Sequence, residues 1–164
     1  MTSQARVDAV NAGLSPIVDA ELENFMTTRS LNLTATLKSE EAYTSADLVI
    51  IATPTNFDTE ENYFDTSSVD STIDLVRQCN PNALIVIRST IPVGYVRSIR
   101  KRLNTRQILF SPEFLREGRA LHDNLYPSRI VVGGDCDSAK QFADLLMQAA
   151  ERKDVPVLLT KPDE

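Results

Sequence analysis

The chain has 164 residues, 42% hydrophobic and 24% charged, enough for one domain with a core of its own. The 17 Lys and Arg against 23 Asp and Glu leave a formal net charge of −6 (17 − 23), a poor match to a nucleic-acid backbone. No apolar run is long enough to span a bilayer, and Met1 to Asn11 lacks the apolar core of a signal peptide; one His and two isolated cysteines, Cys79 and Cys136, argue against a His/Cys metal site and for a reducing, cytoplasmic setting.

Val7 and Val10, at helical spacing, predict that Met1–Asn11 is the tail of a helix or a connection. In the turn Gly13-Leu14-Ser15-Pro16, Ser15 and Pro16 are set as cap and first residue of a helix over Ile17–Thr28. Alternating leucines predict a half-buried strand over Leu31–Lys38, and Ser39–Ala46 reads as a short helix. Asp47–Thr53 has a continuously apolar core, as for a central parallel strand buried on both faces, and runs out into Thr53-Pro54-Thr55. Asn56–Thr66 is a polar loop. Ser67–Cys79 is a helix with Val69, Ile73 and Val76 on one face, stopped by Asn80-Pro81-Asn82.

The pattern then repeats. A buried strand over Ala83–Ile87 ends in Arg88-Ser89-Thr90, and a helix follows Gly94 to about Leu103. Another strand covers Gln107–Phe110. Leu121–Ser128 is a loop carrying His122, Asp123 and Tyr126, and Arg129–Val132 is a strand ending in Gly133-Gly134. Asp137–Arg152 is an amphipathic helix using Ala139, Phe142, Leu145, Leu146 and Ala149, before a last strand over Val155–Leu159. Strand and helix alternate throughout, so the fold class is α/β, with a mainly parallel sheet and flanking helices in a single domain over residues 1–164.

The densest local signal is Ser111-Pro112-Glu113-Phe114-Leu115-Arg116-Glu117-Gly118. Ser111 is a good helix N-cap and Pro112 suits the first helical position. Such a helix would set Glu113 and Glu117 four residues apart on one face. The plain reading is a capped surface helix in which Arg116 softens the repulsion between the two carboxylates. The chemical reading is a crowded carboxylate pair in a cleft, with one pKa raised into the range of a general base. Three successive strand ends, at Thr53/Thr55, Ser89/Thr90 and Glu113/Glu117, would then offer polar groups along one rim, where open α/β sheets bind small molecules.

Ala52-Thr53-Pro54-Thr55, Asn62-Tyr63-Phe64-Asp65-Thr66-Ser67-Ser68, Arg88-Ser89-Thr90-Ile91-Pro92-Val93-Gly94, and Ser111 to Gly118 continuing to Pro127-Ser128-Arg129-Ile130-Val131-Val132-Gly133 resemble the bacterial UDP-glucose 6-dehydrogenases of the UDP-glucose/GDP-mannose dehydrogenase family. The likeness runs from about Arg6 to Thr160. It implies an incomplete Rossmann-like domain and NAD-dependent oxidation of a sugar C6 alcohol to a carboxylate, with UDP-glucose as substrate and UDP-glucuronate as product. By motif match, Thr90 would order a water near the reacting carbon, and Glu113 would be general base or acid. Glu117 would lie close to the nicotinamide. Phe114, Leu115 and Arg116, with Glu113 and Glu117, would line the nucleotide-sugar. Thr53, Pro54, Thr55, Ser89 and Thr90 would contact NAD, and Arg6 matches a basic residue near the adenosine ribose.

The resemblance also implies that parts of the family pattern lie outside this chain. Its first β-α-β unit, with a Gly-rich GxGxxG turn that cradles the pyrophosphate, would precede Met1, which stands in the place of a ribose-binding acidic residue. Its nucleophilic Cys and supporting Lys and Asn would follow Glu164; neither Cys79 nor Cys136 matches that nucleophile, and His122 matches nothing catalytic. In the strand order of that fold the missing strands would sit between Leu31–Lys38 and Asp47–Thr53, leaving a raw apolar edge and an unpartnered strand. The isolated chain is therefore expected to be inactive, and the family commonly forms homodimers. Alternatives are a non-catalytic nucleotide-sugar-binding or subunit-docking module, and a piece of a GDP-mannose 6-dehydrogenase, whose Pro-Glu-Phe-Leu-Arg-Glu core is similar.

Overall fold

A computed structural model describes residues 3–58, 63–134 and 136–161, which form seven helices and seven strands. Met1 and Asn62 lie outside the described residues. Helix α1 (Gln4–Asn11) is capped by Ser3, whose hydroxyl accepts from the Arg6 N–H. Helix α2 (Ala20–Thr28) starts three residues later than the expected Ile17. Ser15 closes a local turn on Ile17 instead, and Asp19 caps the helix by accepting from Leu22 N at 3.1 Å. The carboxylate wins because its second oxygen accepts from Leu121 N at 3.2 Å, a bond that a hydroxyl engaged on Ile17 cannot make.

Leu31–Lys38 forms no strand, contrary to its alternating pattern. A strand needs a hydrogen-bonded neighbour, and among the described residues none lies beside it. Its leucines stay largely exposed, and it is held at Ala35, whose N–H and C=O both bond the Asn11 side chain. Helix α3 (Ser39–Tyr43) follows.

Strand β1 (Leu48–Ile51) is an edge strand, not a central one: Ile50 is 48% exposed. The segment expected as a polar loop contains a hairpin, β2 (Asn56–Asp58) paired antiparallel with β3 (Tyr63–Asp65). Phe57 and Phe64 stand opposite each other there, ring centroids 4.7 Å apart, a cross-strand aromatic pair that stabilises short strands. Then come α4 (Ser67–Cys79), β4 (Leu84–Ile87), α5 (Tyr95–Arg102), β5 (Ile108–Phe110), α6 (Ala120–Leu125), β6 (Ile130–Gly133), α7 (Asp137–Ala149) and β7 (Val157–Thr160). The five-stranded sheet has the order β1-β4-β5-β6-β7, parallel except where β5 meets β6. Helix α6 lies where the sequence reads as loop.

The core has two halves, one on each face of the sheet. Ile85 and Ile87 point to one face, against Val69, Ile73 and Val76 of α4 and Val96 and Ile99 of α5. Val86 points to the other, with Leu109 and Val132 against Ala139, Phe142 and Ala143 of α7. Leu145 and Ala149, expected on that inner face, are turned outward. The buried positions 139, 142 and 143, with partly buried Leu146, follow the helical repeat, and Leu145 falls outside that stripe.

Two predictions follow from this packing. Phe142→Ala lowers the unfolding free energy by about 3–5 kcal/mol, whereas Leu145→Ala changes it by about 0.5 kcal/mol or less, in urea melts. Equal effects would place the core face of α7 elsewhere. Asp19 supplies a pH test. Backbone N–H groups, that of Leu22 first, hold its carboxyl below the ordinary 3.8. A depressed folded value gives stability that is full above the unfolded value and is lost as the pH falls through the folded one. The gap in urea midpoint between the protein and Asp19→Asn therefore narrows on acidification from neutral pH to below 3.8; a gap independent of pH would show that the charge of Asp19 contributes nothing.

Candidate functional site at the ends of three parallel strands

The strands β1, β4 and β5 run parallel, with Ile51 beside Ile87 and Ile87 beside Phe110. Their carboxyl ends therefore open on one rim. Thr53, Pro54 and Thr55 leave β1; Arg88, Ser89 and Thr90 leave β4; Pro112 and Glu113 follow β5. All of them line one cleft of about 390 Å³. The strand ends are braced to each other. The buried Ser89 hydroxyl donates to the Thr53 carbonyl at 2.7 Å. Ser68, in the first turn of α4, donates to the Pro54 carbonyl at 2.9 Å and lies 3.1 Å from Thr53 Oγ1.

The segment from Ser111 to Gly118 is not a helix. Ser111 does not cap: its N–H donates to the Ile87 carbonyl at 2.9 Å and its buried hydroxyl donates to the Val131 carbonyl at 2.8 Å. These two bonds continue the sheet one residue beyond β5 and direct the Ser111 side chain to β6 rather than to the residues that follow it. The chain then runs irregularly to a turn at Glu117-Gly118, where Gly118 has φ 72° and Arg119 N donates to the Arg116 carbonyl. The helix begins later, at α6.

Glu113 and Glu117 thus share no helix face, and the carboxylate pair expected from their spacing does not form. Glu113 lines the cleft and faces Arg88, Oε2 to Nε 3.7 Å. Glu117 lies exposed on the turn and lines neither this cleft nor the one beside it. Arg6, exposed on α1, lines neither as well.

A second cleft, of about 460 Å³, shares Arg88 and Pro112 with the first. Phe114, Leu115 and Arg116 form part of its wall, together with Asp123, Tyr126 and Arg129. The Arg129 guanidinium lies 4.0 Å over the Phe114 ring. Arg116 does not neutralise the glutamates; it grips Asp123, whose carboxyl is held well below the usual carboxylate range by the Arg116 side chain and N–H. With Arg88, Arg116 and Arg129 on one cleft, the wall is suited to an anion with several oxygens.

Three contributors carry no role in the sequence reading. Arg88 precedes the two hydroxyl residues and is 13% exposed at its side chain; a charge at the end of a buried strand needs a partner, and that was its signal. Ser68 and Asp123 have no comparable local signature, because each acts on residues distant in sequence. His122 sits on α6 with Nδ1 3.4 Å from Glu21 Oε2 and lines neither cleft. Cys79 and Cys136 are free thiols that also line neither. No helix among the described residues is long and apolar enough to cross a membrane.

Comparison with known proteins agrees with this architecture. Residues 2–150 match the model of the UDP-glucose/GDP-mannose dehydrogenase family, NAD binding domain. The chain is 47% identical to a UDP-glucose 6-dehydrogenase of Streptococcus pneumoniae over 97% of its own length and 42% of that protein's. It is 40% identical to one of Campylobacter jejuni over 97% of this chain and 40% of the relative. Among solved structures, a UDP-glucose dehydrogenase of Pyrobaculum islandicum superposes with a TM-score of 0.76 at 28% identity, over 99% of this chain and 40% of that one. A GDP-mannose dehydrogenase of Pseudomonas aeruginosa, at 22% identity over 98% of this chain and 40% of that one, shares the fold with a TM-score of 0.81. The chain thus spans about two fifths of the length of these relatives. A family match over nearly the whole chain, on a mainly parallel sheet with a polar rim, establishes that the chain belongs to the UDP-glucose/GDP-mannose dehydrogenase family through its NAD binding domain.

Proposed function

We propose that the protein oxidises the C6 alcohol of UDP-glucose to the carboxylate of UDP-glucuronate with NAD, in two hydride transfers, and that this chain supplies the rim where cofactor and sugar meet. The observation that carries the reading is the convergence of Thr53, Ser89, Thr90 and Glu113 from three parallel strand ends beside a cleft walled by arginines. The two relatives of highest identity named above bear the UDP-glucose name, which favours that sugar nucleotide over GDP-mannose.

The donor set fits a dinucleotide. Thr53, Thr55 and Thr90 offer hydroxyls to ribose and amide groups in a cleft large enough for part of such a ligand, and the buried Ser89 hydroxyl braces the Thr53 carbonyl beside them. When bound, NAD supplies the hydride acceptor. Thr53, Pro54, Thr55, Ser89 and Thr90 would hold it. Glu113, which lines the same cleft as Thr90 and faces Arg88, would take a proton from a water that Thr90 would order. Phe114, Leu115 and Arg116, with Arg88 and Arg129, would receive the nucleotide-sugar, the guanidinium groups facing its diphosphate. Neither thiol lines the clefts, so no covalent step is assigned to this chain.

In a protein of the relatives' full length that carries this chain, Glu113→Gln lowers kcat for NADH formation from UDP-glucose by about 10²–10⁴-fold with little change in KM. An unchanged kcat removes Glu113 from the chemistry. The 164-residue chain alone forms no NADH. Binding is expected to persist: NAD or UDP-glucose, each added alone at about a hundred times its Kd, raises the unfolding free energy by about 2.7 kcal/mol in a urea melt. A ligand-insensitive melt would mean that the rim does not bind without the rest of the protein. The reading extends to a homodimer for the full-length protein, which analytical ultracentrifugation checks and a monomer overturns.

A further inference from the structure

One carboxylate in the wall of the arginine-lined cleft takes three hydrogen bonds from one residue. Asp123 Oδ2 accepts from Arg116 N at 2.8 Å and from Nε at 3.1 Å, and Oδ1 accepts from Nη2 at 2.6 Å. Exposed ion pairs hold little, because water competes for both charges and the side chains lose entropy. This one differs in three respects. The Asp123 side chain is only 11% exposed. The guanidinium is gripped by both carboxylate oxygens, a geometry that fixes direction as well as distance. The main chain of Arg116 is bound by the same group, so the grip sets the path of the backbone and not merely a rotamer.

The backbone there needs such a grip. Pro112 to Arg116 lies in neither helix nor strand, so regular main-chain bonding does not hold it. Upstream it is anchored to the sheet at Ser111. Downstream its anchor is Asp123. Asp123 in turn rides on α6, whose Leu121 N–H is bonded to the buried Asp19 carboxylate of the α2 cap. The wall of the cleft is thereby referred to the protein interior through two aspartates.

We propose that Asp123 is a positioning residue: acting through Arg116, it holds the main chain of Phe114, Leu115 and Arg116 as a fixed wall of the substrate cleft. The substrate in question rests on the UDP-glucose reading above. An unfixed wall must be ordered by each arriving ligand, and that cost appears in binding rather than in the chemical step.

Asp123→Asn tests this, since it keeps size and one carbonyl oxygen but removes the charge and one acceptor. In the full-length protein, three quantities are measured: hydrogen–deuterium exchange of a peptide covering the Arg116 amide, the urea midpoint, and kcat and KM for UDP-glucose. The expected result is about tenfold faster exchange and about tenfold higher KM, matching the loss of a charge-assisted hydrogen bond, with kcat within about threefold and at most a small fall in the midpoint. Asp123→Glu, which restores the carboxylate, recovers part of both. Unchanged exchange overturns the proposal, and so does a fall in midpoint and kcat with KM unmoved, which marks a merely structural residue. If the unsubstituted protein does not oxidise UDP-glucose, the functional reading fails by itself, and the clamp is then decided by the exchange rates alone.

Discussion

Main-chain hydrogen bonds across β1, β4 and β5 bring together the residues that line the first cleft. They set Ile51, Ile87 and Phe110 abreast, and because the strands are parallel, the next residues of all three leave the sheet on the same side. Thr53, Ser89 and Glu113 meet for that reason alone. The register is enforced by burial. Ile85 and Ile87 face α4 and α5 while Val86 faces α7, so a slip by one residue would drive each set toward the wrong helices.

Around this rim, the partly or fully desolvated polar groups find partners, as their burial demands. Ser89 and Ser111 spend their hydroxyls on carbonyls of neighbouring strands, and Asp19 accepts from two helix starts. Arg88 reaches Glu113 and Asp123 holds Arg116. The consequence for function is preorganisation. The groups that would meet a ligand stand on a frame in which the buried Ser89, Ser111 and Asp19 are already hydrogen-bonded, so binding does not have to reorganise them.

Much of the fold was legible in the chain itself. The helices α4, α5 and α7 and the strands β1, β4, β5 and β6 are announced by apolar runs and helical stripes that reflect local geometry. The site was legible in part. Thr53, Thr55, Ser89, Thr90 and Glu113 reach one rim because they follow three recognisable strands. Glu117 and Arg6 do not line it, and the bond of Ser68 to the end of β1 and the place of Asp123 in the neighbouring cleft are assigned by no local pattern. The Ser-Pro-Glu start of the central motif read as a helix cap because capping is a local rule; the carbonyls of Ile87 and Val131 competed for Ser111 and prevailed.

By itself the sequence determined the α/β class, the run of strands and helices, and the motifs by which the family is recognised. Each depends on side-chain type and spacing over a few neighbouring residues, which any chain carries before it folds. Tertiary structure alone decided which acid caps α2, why Leu31–Lys38 remains unpaired, which way Ser111 to Gly118 runs, and which carboxylate holds Arg116. Asp19 and Leu121 are 102 positions apart, and Arg116 and Asp123 meet only across a turn and a helix. A hydrogen bond is decided by which partners are close in space, and only folding settles that.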